Sequence, residues 1–318
     1  MPVLLGMGMR GLACAAALAA ILGAAMGSAG TARAETLRVG PDRPLKAPSE
    51  AARVARDGDR VEIEPGEYFD CAVWTQNRLQ IVGTGPGVVL TDRTCEGKAI
   101  FVIRGTDARI QGITFTRARV PDGNGAGIRA EGRNLTVEES RFVNNENGIL
   151  TSADPESTVV IRRSEFARNG SCEKDCAHGI YVNTARLLRI EDSTFRETKT
   201  AHHVKSRALR TEILGTTIED GDAGTSSYLV DIPNGGSLVI ADSTLQKGPK
   251  TSNRRAAVMI GAEGVTQPTR EITVRGSRFD GAGRAAGFIV NMTATEAVLA
   301  GNSIRGVERA LIGDGMVQ

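Results

Sequence analysis

Two cations set two residues apart raise the functional question. Lys205 and Arg207 lie in His202-His203-Val204-Lys205-Ser206-Arg207-Ala208. On a strand, a period of two puts both side chains on one face, about 7 Å apart. Adjacent cations repel, so such a pair points to an anionic partner. On a uronate, Arg would neutralise the carboxylate and acidify the neighbouring C–H, and Lys would take that proton as a base. Lyases and epimerases of uronates share this step. The plainer reading is a solvated cation pair, with Lys205 bridged to Asp231 and worth under about 1 kcal/mol.

Other reactive side chains gather nearby. The three histidines are His178, His202 and His203. His203 precedes the Lys205 strand and is a candidate second base or acid, because imidazole titrates near neutrality. The alternative packs His202 inside and leaves His203 at a turn. With Ile180, Val204 and Val230 inward, Tyr181, Lys205 and Asp231 form one outward column, and Asn183 and Arg207 its neighbour. A one-residue slip would invert this register. The insertion Lys247-Gly-Pro-Lys250-Thr-Ser-Asn-Arg254-Arg255 either walls a groove and holds an acidic glycan or is a solvated loop. Its candidate binding residues are Lys247, Lys250, Arg254 and Arg255, with Tyr181 and Asn183 on the strand face. Aromatic sugar platforms are few: Trp74, Tyr181 and Tyr228, the last with a place in the core as its alternative.

The elements that must position these groups are repeated. A block of apolar, x, apolar, x, x, small polar, x, apolar recurs as Leu135 to Phe142, Val159 to Phe166 and Leu188 to Phe195. Weaker copies end at Phe115, Ile218, Leu245, Phe279 and Ile304, and successive ends lie 23 to 34 residues apart. The leading apolar pair has the strand period. The small polar residue (Ser140, Ser164, Ser193, Thr216, Ser243, Ser277, Asn302) sits at a fixed offset, as a turn residue would. Between the blocks lies a second strand family, such as Gly179 to Asn183 and Val204 to Arg207. One such rung cannot bury its own apolar side. Stacking rungs at about 4.8 Å gives a continuous core, with insertions in the loops. A propeller would need longer four-stranded repeats, and an α/β fold would need long amphipathic helices. The one helix expected, Ser49 to Arg56, is placed to cap the open N-terminal end. The fold class is therefore all-β: a right-handed single-stranded parallel β-helix with an N-terminal capping helix.

The opening Pro-Ser-Glu-Ala-Ala, leading to Asp57-Gly-Asp-Arg-Val61-Glu-Ile63-Glu-Pro65-Gly-Glu-Tyr68, resembles the start of the pectate-lyase-like superfamily of parallel β-helices. The later repeats resemble its generic coil. The resemblance covers nearly the whole chain after residue 34. It implies fold, while the superfamily holds lyases, hydrolases, esterases, epimerases and binders. The Lys205–Arg207 pair resembles its alginate and chondroitin lyase branch. Paired aspartates for hydrolysis, the Asp-Pro-His-Asp run of mannuronan epimerases and the Arg-x-Pro-x-x-Arg run of pectate lyases are missing. A full acid cluster of the calcium-binding kind is also missing, so no cofactor is expected, with calcium as the alternative.

The first 34 residues read as a cleavable signal peptide. Arg10 precedes an apolar run, and Ala32-Arg33-Ala34 has the small-x-small pattern a signal peptidase accepts. The run is short for a membrane span, and Cys14 has no lipoprotein box around it. Residues 35–318 form the β-helix domain. Of 39 basic side chains two lie in the leader, leaving 37 against 37 acidic. This balance argues against nucleic-acid binding, which needs a basic excess. Periplasmic or secreted placement is expected, with no transmembrane segment. Cys71, Cys95, Cys172 and Cys176 are then expected to form disulfides. Three pairings are open, and Cys71–Cys95 with Cys172–Cys176 is the most local. Cys172, Cys176 and His178 also have zinc-ligand types, at a spacing that is not a standard one. Two functions follow: an enzyme on an acidic polysaccharide, lyase or epimerase, with Lys205 and Arg207 leading and His203, Asp231 and Tyr181 helping, or a non-catalytic carbohydrate-binding or envelope scaffold β-helix. The last rung, after Ala310, lacks a capping helix, and an open edge invites self-association.

Overall fold

A computed structural model describes residues 34–318. Residues 1–33 of the expected leader lie outside the described residues. The rest is a stack of short parallel strands in three columns. One column of 12 strands runs from Thr36–Val39 to Gly315–Val317. The other two run from Gly66–Tyr68 and from Ala72–Trp74. Every pairing along them is parallel, and each strand meets its counterpart one rung away. Parallel strands in one sheet are joined by right-handed crossovers, and three columns wound this way make a right-handed parallel β-helix.

The repeat block is the corner between two columns. Its leading pair ends a strand of the first column, as Leu135 and Val137 do in Leu135–Glu138. The next residue turns in the left-handed region: Glu139, Arg163, Asp192, Gly215, Asp242, Gly276 and Gly301 all have φ between 46° and 62°. The small polar residue follows. Its hydroxyl donates to the carbonyl two residues back, as Ser164 Oγ does to Arg162 O at 2.8 Å. The same hydroxyl accepts the amide of the rung before, as from Ser140 N at 3.2 Å. This pattern repeats through Ser193, Thr216, Ser243 and Ser277 to Asn302. The buried corner groups are satisfied by it, as they must be. A second ladder joins Asn145 and Asn169 at 3.0 Å at the next corner.

The closing residues fill the interior. Phe115, Phe142, Phe166 and Phe195 are fully buried and stack with centroids 5.1, 4.7 and 4.4 Å apart. Phe166→Ala should therefore lose about 3–5 kcal/mol of stability, read by urea denaturation. Trp74 belongs to this core, not to a sugar platform: it is fully buried and meets Phe101 edge-on at 5.5 Å.

The helix spans Pro48–Val54, starting one residue before and ending two residues before the expected span. Pro48 sits in the first turn, where no amide donor is needed, and Ala55 ends the helix in an extended conformation. The helix packs on Thr36–Val39 and Ala72–Trp74. At the other end, Met316 and Val317 are exposed on the last strand. Outside the 12-strand column runs an ion ladder. Arg162 sits between Glu138 and Glu191 at 3.5 and 2.6 Å, and Arg189 between Glu191 and Glu212 at 3.7 and 2.6 Å. Arg210 continues it from Glu212 to Glu271 at 2.5 and 2.8 Å.

Candidate functional site

The third column carries the site. Ile180, Val204 and Val230 point inward and are fully buried. Their alternating neighbours point outward. The register pairs Tyr181 with Lys205 and Lys205 with Asp231, so these three stand in one line. Arg207 follows the Lys205 strand, Val204–Ser206. Its Nε donates to Tyr181 Oη at 2.8 Å, its Nη2 lies 2.7 Å from Glu263 Oε2, and its Nη1 donates to Asn234 Oδ1.

Lys205 is not solvated. Its side chain is 10% exposed, and its Nζ lies 3.2 Å from Asp231 Oδ2 and 2.7 Å from Glu263 Oε1. It also lies 5.8 Å from the centre of the Tyr181 ring. Glu263 thus bridges both cations from a loop whose glycines, Gly261 and Gly264, have φ of 83° and 96°. Asp231 is buried, which raises its pKa to about 6 despite the Lys205 charge, with Glu263 pushing the same way. Burial works against the Arg207 charge, but Tyr181 and Glu263 outweigh it and lift its pKa above the usual value.

The histidines divide differently from expectation. His202 faces the groove, between His178 and Tyr228, with ring centroids 4.9 and 5.1 Å away. His178 Nδ1 accepts the His202 amide at 3.2 Å, and His202 Nδ1 accepts the Tyr228 amide at 3.1 Å. An accepting Nδ1 leaves the ring proton on Nε2, and His202 Nε2 lies 3.5 Å from Asp231 Oδ2. Burial, then the Lys205 charge, holds the His202 pKa at about 3. Burial, then His202, lowers His178 well below its usual value. Both rings are therefore neutral donors with no free lone pair for a base.

His203 is corrected out of the face. It is fully buried, with Nε2 3.0 Å from Asp220 Oδ1 and Nδ1 2.8 Å from Thr198 Oγ1. Strand alternation would turn His203 outward beside inward Val204, but His203 lies outside the strand Val204–Ser206, where the chain is still turning and the buried Asp220 receives it. Lys247 is corrected out of the binding loop for the same reason. It is fully buried, donating to Ser227 O at 2.6 Å and lying 3.7 Å from Asp220 Oδ2. Lys250, Arg254 and Arg255 do lie exposed on that loop. Asn183 is half-buried and caps its own turn, its Oδ1 accepting the Thr184 amide at 3.3 Å. Sequence reasoning missed Glu263 and the groove-facing place of His202. A carboxylate between two glycines was the available signal for the first.

Two disulfides hold the neighbouring loops. Cys71 bonds Cys95, and Cys172 bonds Cys176. The second bond removes both thiolates that a zinc site there would use. Beside it opens a cavity of about 440 Å³, lined by His178, Tyr181, His202, Lys205 and Arg207 together with Asn124 and Asp175. The arrangement can bind an anionic group on Arg207 and Lys205. It also sets the Tyr181 phenol and the Lys205 amine in one outward line beside Arg207.

The profile of the family described as "Right handed beta helix region" matches residues 87–218. No curated protein sequence matches. Among solved structures, an alginate lyase from Paenibacillus sp. str. FPU-7 is similar at 17% identity, over 88% of this chain and 99% of its own, with a TM-score of 0.64. Pectate lyase Pel9A is similar at 13% identity, over 91% and 80%, with a TM-score of 0.57. A pectin methylesterase from Aspergillus niger is similar at 11% identity, over 87% and 90%, with a TM-score of 0.50. At these identities the likeness is one of fold. With the strand columns and the matched repeats, it identifies the chain as a right-handed parallel β-helix.

Proposed function

We propose that this protein is exported and acts on an acidic polysaccharide, as a uronate lyase or an epimerase sharing its first step. The observation that carries the reading is Glu263, a carboxylate held by both Lys205 and Arg207 at 2.7 Å. A uronate carboxylate has the same chemistry and would take the same place. Arg207 then neutralises it and acidifies the adjacent C–H. Lys205, acting as the amine, removes that proton. In elimination, the C–H electrons form a carbon–carbon double bond to the carbon bearing the glycosidic oxygen. That C–O bond breaks, and the departing oxygen takes a proton from Tyr181, whose oxygen is held by Arg207. In epimerisation, a proton from solvent water returns to the opposite face instead, and Lys205 gives up its own to solvent. No cofactor is invoked. The two disulfides suit an oxidising compartment, and no described helix is long and apolar enough to cross a membrane.

The test is a screen against alginate, pectate, glycosaminoglycans and bacterial acidic exopolysaccharides, read by ultraviolet absorbance of unsaturated uronate ends. New absorbance supports elimination. Proton exchange from solvent without absorbance supports epimerisation. A second reading, non-catalytic glycan binding, is favoured by one feature: Lys205 already has two carboxylate partners. Saturable binding without either product would select it.

Glu263 gives a separate prediction. Its carboxylate competes with any anionic ligand for both cations. Glu263→Gln should tighten binding of acidic oligosaccharides by about tenfold, on the scale of one charge-assisted hydrogen bond, measured by calorimetry. Unchanged affinity would mean that the ligand carboxylate does not use this place.

A further inference from the structure

The outward column continues past Tyr181 toward the N-terminus. The register pairs Tyr181 with Leu150, Leu150 with Arg129, and Arg129 with Val102. Ile128 and Ala130 on either side of Arg129 are in the core, so Arg129 points outward. Val102 and Leu150 also point outward, yet they are 0% and 4% exposed. Their apolar cluster includes Cys95, which the Cys71–Cys95 bond brings over the face. Arg129 is the next side chain along the column to reach solvent, 29% exposed.

Its guanidinium is short of acceptors. The Nε is buried and makes no hydrogen bond among the described residues. The nearest carboxylate, Glu131, lies 3.9 Å away. Glu131 is already held by Lys98 at 2.7 Å and by Arg104 at 3.1 Å. Glu96 is shared by the same two cations, at 3.3 and 2.5 Å. Three cations therefore face two carboxylates, and Arg129 is the one left without a close partner. A buried N–H on a cation with no acceptor carries a desolvation cost of about 1–3 kcal/mol or more. That cost is removed by a ligand that brings an anionic oxygen.

We infer that Arg129 is a second anion subsite, receiving an acidic group of the same polysaccharide whose reacting uronate lies on Lys205 and Arg207. This rests on the proposed function. Three rung steps separate Arg129 from Lys205, about 14 Å at the spacing between parallel strands. The ligand class is an acidic oligosaccharide long enough to place charges at both positions. A single uronate or a dimer would reach only one.

The experiment measures binding apart from turnover. Oligouronates of increasing length, prepared from pectate and from alginate, are titrated into the Lys205→Ala protein with and without Arg129→Ala. Wild-type turnover is scored separately. The subsite predicts that Arg129→Ala weakens binding of the longer oligomers by roughly tenfold or more and leaves dimers unchanged. It also predicts a melting temperature no lower than that of the parent, since Arg129 makes no hydrogen bond to lose and its unpaired buried N–H is removed. Equal loss at every length, or loss accompanied by a lower melting temperature, overturns the subsite in favour of a structural role. No loss at any length overturns the subsite but leaves the polysaccharide reading standing if the wild type turns over. No binding of any oligouronate by the parent protein overturns both.

Discussion

Lys205→Ala is expected to fold, to keep binding acidic polysaccharide through Arg207, and to lose turnover by about 10²- to 10⁴-fold, the range for removing a general base. Lys205→Arg should lose nearly as much, because guanidinium keeps the charge but cannot act as a base. Together the two variants separate electrostatic from proton-transfer roles. Wild-type rates in Lys205→Ala would move the chemistry off this column altogether. The stability of the variant has a pH signature. Asp231 has a folded pKa of about 6, above its ordinary value, so the folded state binds the extra proton. Asp231 therefore costs stability as pH rises from about 4 through 6, and the cost is fully present above that window. Removing the Lys205 ammonium, 3.2 Å away, deepens the cost. The melting temperature of Lys205→Ala should fall more at pH 8 than at pH 5. An equal fall at both would mean that Asp231 does not feel Lys205.

A stability loss as large as that of Phe166→Ala is expected behind the site, at Asp220→Ala. Asp220 and Lys247 are fully buried, with His203 between Asp220 and Thr198. Burial alone would raise the Asp220 pKa, but the His203 hydrogen bond and charge, followed by the Lys247 charge, hold it at about 2. Burial lowers Lys247 to about 8 against the pull of Asp220. Removing the carboxylate leaves a buried ammonium without its counter-charge. Losses of about 3–5 kcal/mol attend such breaks, readable by urea denaturation at pH 7. The signs with pH differ for the two groups. Asp220, depressed in the folded state, contributes stability that is present above about pH 4 and lost as pH falls through 2. Lys247, also depressed, costs stability below pH 8, and the cost is relieved as pH rises toward its ordinary value. In Asp220→Ala the first dependence should vanish. A loss below 1 kcal/mol at pH 7 would mean that Lys247 is satisfied by the Ser226 and Ser227 carbonyls alone.

The sequence carried the fold because the repeat is local. Two apolar residues two apart, a turn residue and a closing phenylalanine each depend only on their own rung and the next. Ser164 and Phe166 could be placed without knowing where any loop ran. The column of Tyr181, Lys205 and Asp231 was legible for the same reason, since strand alternation is a local rule. What failed depended on loops. Glu263 lies 58 residues from Lys205, and nothing in its neighbourhood says that the loop folds back over the strand. Lys247 looked like one of four cations in an exposed insertion, but it opens that insertion while still in the rung, beside Asp220. His202 and His203 exchanged roles because the strand rule was applied one residue outside the strand, where the chain is still turning.

The ion ladder has a consequence for how the chain finds its rungs. Phe142, Phe166 and Phe195 offer nearly the same interior, and Ser140, Ser164 and Ser193 the same corner, so a chain that skipped a rung would lose little in either place. Outside, it would lose a great deal. Glu138, Arg162 and Glu191 occupy successive places in one column, and omitting the middle rung would set Glu138 directly against Glu191. Like charges on adjacent strands are destabilising, and the correct order alternates them. The outer charges, which contribute little to the core, thus give otherwise interchangeable coils an order.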